Sequence, residues 1–306
     1  LKTDEHGHIP VLIEPVLDII DPRPGQVVVD CTLGLGGHSR ELLRRVMPGG
    51  RLIAFDFDPA NIEIARKRVA EIGPDFDIVH GNFAGVPTAL ANLGIERVDA
   101  VLADVGVAST QIDDPARGFS YRRPGPLDMR MDPTRGEPAS VLINRMSEKD
   151  LSDAFFQLGD ETDAPEIARL IVERRAEKPI ETTQELMELI CEARDFTVER
   201  AFGAKLHPAA RTFQALRILV NRELANLQRL LAVLPDILKP GGIAAIISFH
   251  SGEDRLVKTA FKNGLRYGVY EDASDEPLTA DALEFGRNPR SRSAKLRWAR
   301  RGQVDA

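Results

Sequence analysis

Between residues 26 and 106, short uninterrupted apolar runs alternate with stretches whose apolar positions recur every three or four residues. The runs are "QVVVDC", "RLIAFD", "FDIVHG" and "VDAVLADVG". Apolarity without alternation predicts strands of a parallel sheet covered on both faces. The patterns between them predict helices over 38–47, near 59–72 and up to about Leu93. Strand–helix–strand alternation of this kind marks a doubly wound α/β sheet.

After the fourth strand the alternation stops. "DDPARGFSYRRPGPLDMRMDPTRGEP" is rich in Pro, Gly, Asp and Arg and predicts an ordered irregular segment or lid. Helices are predicted near 148–158, 164–177 and 182–194. From 212, Phe213, Leu216, Val220, Leu224, Leu227, Leu231 and Leu234 share one face and predict a single long amphipathic helix. "KPGG" at 239–242 ends it, "IAAIISFH" returns as a buried strand, and "AKLRWA" reads as a final strand. The expected organisation is one α/β domain in two parts, 1–110 and 212–306, interrupted by an inserted lid and helical domain at 111–211.

Composition narrows the class. With 43% hydrophobic and 28% charged residues the chain reads as globular rather than disordered. No apolar run approaches the ~20 residues of a membrane span, and no signal-peptide pattern opens the chain. Cys31 and Cys191 lie far apart in unlike contexts, which predicts no disulfide and a reducing cytoplasm. The net charge of −7 confines any nucleic-acid surface to a local patch.

The chemistry begins at "VVVDCTLGLGGHS", where a strand runs through Asp30 into Gly34, Gly36 and Gly37 and then into a helix. Such a loop cradles a pyrophosphate in dinucleotide-binding folds. An acid just ahead of the glycines opposes a phosphate and suits a cation, which points to the sulfonium of S-adenosylmethionine. Asp56 closes the next strand, 22 residues after Gly34, where a carboxylate takes ribose hydroxyls in either cofactor class. Asp104 closes the fourth strand, so three acids lie at strand carboxyl ends, where open α/β sheets bind ligands. An NAD-dependent oxidoreductase is the alternative from the same loop.

Methylation at C5 of a pyrimidine needs a cysteine nucleophile, and neither Cys31 nor Cys191 occupies such a slot. An exocyclic amine needs only an acceptor for its N–H and alignment with the S–CH3 axis, which Asp104 and the carbonyls of "DVGVAS" suit. The Asn/Asp-Pro-Pro-aromatic tetrad of DNA amino-methyltransferases is absent from the sequence.

Several longer segments carry a family resemblance. "HIPVL" at 8–12, "GLGGHS" at 34–39, "DVGVASTQIDDPARGFS" at 104–120, "GPLDMRMDPTRG" at 125–136, "HPAARTFQALRILVN" at 207–221, "SFHSGEDRLVK" at 248–258 and "NPRSRSAKLR" at 288–297 run in order along the chain. Together they resemble the bacterial 16S ribosomal RNA (cytosine-N4)-methyltransferases. The resemblance implies a Rossmann-like class I methyltransferase fold with a helical domain inserted after the fourth strand. It implies methyl transfer from S-adenosylmethionine to N4 of a decoding-centre cytidine. The RNA substrate would lie within the 30S subunit, and a homodimer is allowed. A non-catalytic RNA-binding assembly factor is the alternative of a different class.

Cofactor contacts carry over to Gly34, Gly36, Gly37, His38, Asp56, Phe83, Asp104 and Gln111. Phe83 would pack on adenine, its other reading being a core phenylalanine, and His38 otherwise reads as a first-turn helix residue. His207, Arg211, Asn221, Ser248, His250 and Ser251 are expected at the cytidine pocket, with His250 orienting the base, relaying a proton or serving structurally. Residues 287–301, "RNPRSRSAKLRWARR", hold seven Arg or Lys and no acid, so Arg290 and Arg292 are expected on phosphates, with the strand's arginines pointing outward. Arg117, Arg122, Arg123, Arg130 and Arg135 make the lid a second expected RNA surface. His6 and His8 are not read as metal ligands, and no zinc-site spacing occurs, so no metal is expected.

Overall fold

The computed structural model describes residues 9–303; His6 and His8 lie outside them. Helix α1 (Ile13–Ile20) precedes β1 (Val27–Asp30), α2 (Gly37–Val46), β2 (Arg51–Asp56), α3 (Pro59–Ala70), β3 (Phe76–His80), α4 (Val86–Asn92) and β4 (Val98–Asp104). The chain divides into two compact units: one runs to Gly106 and resumes at Leu224, and the other is Val107–Glu223. The expected seams at 110/111 and 211/212 thus fall several residues inside the inserted unit.

That inserted unit is built from α5 (Ser109–Asp113), α6 (Ala139–Arg145), α7 (Glu148–Gly159), α8 (Ala164–Glu177), α9 (Thr183–Ala193), α10 (Val198–Gly203) and α11 (Ala210–Asn221). Its own core gathers Leu151, Phe155, Ile167, Ile171, Leu186, Ile190, Phe213 and Leu216. Helix α9 starts on a capping box: Thr182 accepts from the Glu185 amide, and the Glu185 carboxylate accepts from the Thr182 amide.

The long helix expected from 212 is two helices. Arg222 adopts φ 51°, in the left-handed region, and ends α11; α12 (Glu223–Ile237) begins immediately after it. The apolar period passes through the break because both helices bury the same residue types. β5 (Leu238–Ser248) then takes in "KPGG" rather than following it, and its pairing with β4 shifts register between Val98 and Ala100. The remaining elements are α13 (Ser251–Arg266), β6 (Tyr270–Ala273), β7 (Leu278–Thr279), α14 (Ala282–Arg287) and β8 (Lys295–Arg301).

The sheet order is β3-β2-β1-β4-β5-β8-β6, with β7 also pairing β8. β1 to β5 are parallel, and β8 is antiparallel to β5, β6 and β7. Alternate residues of each strand feed two cores. Val29, Ile53, Val101 and Ile246 join one, while Val28, Leu52, Leu102 and Ile247 join the other. Burial on both faces is the physical origin of the unbroken apolar runs. The two ends of the chain are also stitched together: Asn288 Nδ2 donates to the Ile9 carbonyl at 2.9 Å, and the Leu12 amide donates to Glu284 Oε1 at 2.6 Å.

Candidate active site

Strand order reverses between β1 and β4, the switch point at which open α/β sheets leave a crevice beyond their carboxyl ends. Asp30, Asp56 and Asp104 each end a strand there. They do different work.

Asp30 is fully buried and holds the loop together. Its Oδ1 accepts from the Thr32 amide at 3.0 Å, and its Oδ2 accepts from Ser39 Oγ at 2.6 Å. Thr32 Oγ1 in turn accepts from the Asp104 amide at 2.6 Å, tying the loop after β1 to the end of β4. The contacts of Asp30 go inward, and it reaches the Asp104 carboxyl through its charge.

Asp56 accepts from the Gly34 amide at 2.7 Å through Oδ2 and from the Asp58 amide at 2.7 Å through Oδ1. Burial, with the Asp58 charge added, pushes its carboxyl up to about 7 against the pull of those amide hydrogen bonds. Asp58 caps α3 by accepting from the Ala60 amide, with Pro59 in the first turn.

Asp104 is the least satisfied group. Its Oδ1 is buried and has no hydrogen-bond partner. Its Oδ2 lies 3.8 Å from His38 Nδ1, while His38 Nε2 sits 2.9 Å from the Val11 carbonyl. A carbonyl can only accept, so Nε2 carries a proton and Nδ1 is the nitrogen turned toward Asp104. Burial raises the Asp104 carboxyl to about 6, with the charges of Asp30 and Glu253 adding to the rise and His38 opposing it. A buried acceptor oxygen without a donor marks where a ligand N–H or O–H would be satisfied.

The three glycines of the loop separate by role. A Cβ at Gly37 would come within 2.4 Å of Pro10, and one at Gly36 within 3.3 Å of Ala65 and Val69. These two glycines allow close packing onto Pro10 and α3. Gly34, at φ +51°, has only the Thr32 carbonyl within 4 Å of its missing Cβ. It is therefore the glycine that opens onto space. Phe83 begins a short 3-10 turn after β3 and packs half-buried against the sheet core.

Beyond β5, the Glu253 carboxylate closes the first turn of α13. Oε2 accepts from the amides of Phe249 and His250 at 2.9 and 3.2 Å, and Oε1 lies 3.1 Å from His250 Nε2. The His250 ring thus lies beside its own helix start, with Nε2 buried and without a hydrogen-bond partner. Ser248 is buried on β5 opposite Lys295, and Ser251 is the exposed first residue of α13. The Phe249 ring lies 3.2 Å from the Cβ that Gly106 lacks, an interaction the sequence motifs did not single out.

Other expected site residues belong to the inserted unit. The Gln111 side chain is buried and accepts from the Ala108 amide at 3.0 Å, closing the turn that starts α5. Asn221 donates to the Met129 carbonyl and accepts from the Met131 amide, both at 2.8 Å, so it clamps the lid segment to α11. Arg211 donates to the Asp160 carbonyl at 3.0 Å. In the lid, Arg117 donates to the carbonyls of Arg130 and Met131, and Arg130 forms a fork with Asp128. These arginines hold the lid's shape.

The basic C-terminal segment divides in the same way. Arg297 is buried against Asp254 at 2.7 Å, Lys295 reaches the same carboxylate at 3.2 Å, and Arg301 donates to the Val269 carbonyl. The expectation that the strand's arginines all point outward is therefore corrected. Arg287, Arg290 and Arg292 precede β8 and are exposed. Both cysteine thiols are pushed up by burial, Cys31 also by Asp30, which disfavours the thiolate a nucleophile requires.

Comparison with known proteins fits this geometry. The sequence profile described as the MraW methylase family matches residues 5–302. A ribosomal RNA small subunit methyltransferase H from Geotalea uraniireducens is 44% identical over 95% of this chain and 97% of its own length. Proteins of the same name from Sorangium cellulosum and Acidobacterium capsulatum are 45% and 43% identical, over 96% and 97% of this chain and 90% and 99% of their own lengths. The match decides between the methyl-donor and nicotinamide readings of the glycine loop. Spanning almost the whole sequence and both of its units, it shows that the chain belongs to the MraW methylase family.

Proposed function

We propose that this protein transfers a methyl group from S-adenosylmethionine to the N4 amine of a decoding-centre cytidine in 16S rRNA, within the 30S subunit and in the cytoplasm. The observation that carries the reading is Asp104, a strand-end carboxylate with one buried oxygen unpartnered and the other beside His38. The named relatives support the class of RNA substrate.

The residues present fit the cofactor. Asp56 is raised toward neutrality and still offers lone pairs beyond those its amide partners use, which suits ribose hydroxyls. Gly34 leaves the backbone open for close approach, and Phe83 offers an aromatic face at the end of β3. Asp30 and Asp104 give the crevice the negative field that a sulfonium favours. S-adenosylmethionine supplies an electrophilic methyl group, so no covalent enzyme intermediate is needed.

The work left to the protein is to orient the amine and take its proton. A cytosine amine lone pair is delocalised into the ring, and accepting one N–H at Asp104 localises it toward the methyl. Near neutral pH the Asp104 carboxyl is mostly ionised, so it serves as acceptor and then as proton store, with His38 Nδ1 positioned to share the charge. Incubating unmodified small subunits with protein and cofactor, mapping 16S rRNA by mass and identifying the modified nucleoside by chromatography against N4- and C5-methylcytidine tests this. One added methyl on a single cytidine base is expected; a methyl on ribose or on C5 overturns the N4 assignment.

A further inference from the structure

The inserted unit carries an aromatic cluster that the catalytic reading does not use. The rings of Tyr121 and His207 are stacked with centroids 4.3 Å apart, and Phe202 meets His207 edge-on at 4.9 Å. The Arg122 guanidinium lies over two of these rings, 5.7 Å from the Tyr121 centroid and 6.0 Å from that of Phe202. Phe202 is 42% exposed, and Leu206, four residues further on, 57%.

Two details fit a ligand with flat faces and negative charge. The Ala209 amide donates to His207 Nδ1 at 3.2 Å, and Nε2 is buried without a partner. Burial and the Arg122 charge both lower the affinity of the imidazole for a proton, so the ring stays neutral inside the stack. Among the described residues Arg122, Arg200 and Lys205 are exposed and form no ion pair, whereas Arg123 is held by Asp113. An arginine lying over aromatic rings keeps its in-plane N–H donors free for a phosphate. In a chain of net charge −7, this is a local cationic patch set among rings.

We propose that the exposed Phe202 ring and Arg122, backed by the partly buried Tyr121 and by His207, form a stacking surface for an unpaired nucleotide of the RNA substrate, with Arg122 holding its phosphate. The inference deepens the RNA-methylating reading above and rests on it for the identity of the substrate. Exposed rings interleaved with cations are how single strands are gripped without base-specific readout, and paired bases are not available to such a surface.

The test uses the full-length protein and a fluorescein-labelled oligouridylate of ~12 nucleotides, followed by anisotropy beside an RNA duplex of equal length. Phe202→Ala should weaken single-strand binding by roughly fivefold or more and leave the salt dependence unchanged. Arg122→Gln should weaken it and flatten the salt slope by about one phosphate contact. Arg122→Lys should restore the slope but not the full affinity, because a lysine keeps the charge and loses the planar stack. Duplex binding, cofactor affinity by calorimetry and the thermal midpoint should not move. Single-strand affinity within twofold of wild type in both Phe202→Ala and Arg122→Gln, or equal losses for duplex and single strand, would overturn the surface. A wild-type protein that grips the oligouridylate but methylates no small-subunit RNA would overturn the proposed function and leave the surface standing.

Discussion

His38 presents Nδ1 to Asp104 Oδ2 at 3.8 Å while its Nε2 is committed to the Val11 carbonyl at 2.9 Å. The carboxyl that ends β4 thus has an imidazole neighbour in a fixed tautomer. The rate should follow the ionised form of Asp104, with an acid limb near pH 6. Asp104→Asn should lower turnover by roughly 10²- to 10⁴-fold and abolish that limb, with a much smaller change in cofactor affinity. His38→Asn removes a neighbour that holds the carboxyl down, so the limb should move to higher pH. Single-turnover methylation across pH, with calorimetry for the cofactor, checks all three.

Asp56 and Asp104 also shape stability. Their folded-state values of about 7 and about 6 lie above the ordinary 3.8, so the fold favours the protonated forms. The favourable contribution is complete below about pH 4 and is lost as pH rises through 6 and 7. The ligand-free Asp56→Asn variant should therefore gain on wild type as pH rises from 5 to 8, read as the difference in thermal midpoint. A difference independent of pH would contradict the raised value.

The loop glycines should respond unequally. Gly37→Ala drives a methyl into Pro10 and should cost about 1–3 kcal/mol of stability. Gly34→Ala meets no side chain but strains a positive φ, at a cost of about 1–2 kcal/mol. Its larger effect should appear in calorimetry, as weakened S-adenosylmethionine binding. Equal losses of cofactor affinity in both variants, after correction for unfolding, would argue against separate roles.

Arginines of the C-terminal segment should sort by burial. Arg292→Gln should keep its denaturation midpoint, weaken RNA binding and flatten the salt slope by about one contact. Arg297→Gln leaves the partly buried Asp254 carboxylate beside Lys295 alone and should destabilise by about 1.5–3 kcal/mol. Denaturant titration beside filter binding at several salt concentrations separates the two outcomes.

Much of this molecule was legible in its sequence where one physical rule dominated. Strands buried on both faces read as unbroken apolar runs, and acids at their ends marked the crevice. The helices near 148–158, 164–177 and 182–194 matched α7, α8 and α9 because caps such as Thr182 agree with the apolar period. Legibility failed where a local choice left no compositional trace. Arg222 breaks a helix in a left-handed conformation usually marked by glycine or asparagine, so the seven aligned apolar residues read as one helix. Arg297 looked solvated because its partner, Asp254, lies 43 residues away. Asp30 was seen as an acid near a ligand, but its hydroxyl partner Ser39 is recognisable only once the loop is folded.

The stitching of the chain ends has a consequence for biosynthesis. His38 is aimed by the Val11 carbonyl, the next residue, Leu12, is held by Glu284, and Ile9 is held by Asn288. β8, made after both, fills the gap between β5 and β6. A nascent chain ending before Glu284 has neither the brace behind His38 nor the closing strand. The inserted unit is continuous in sequence and can condense while the ribosome is still translating. The crevice beside Asp104 is therefore complete only after Glu284, Asn288 and β8 have been made.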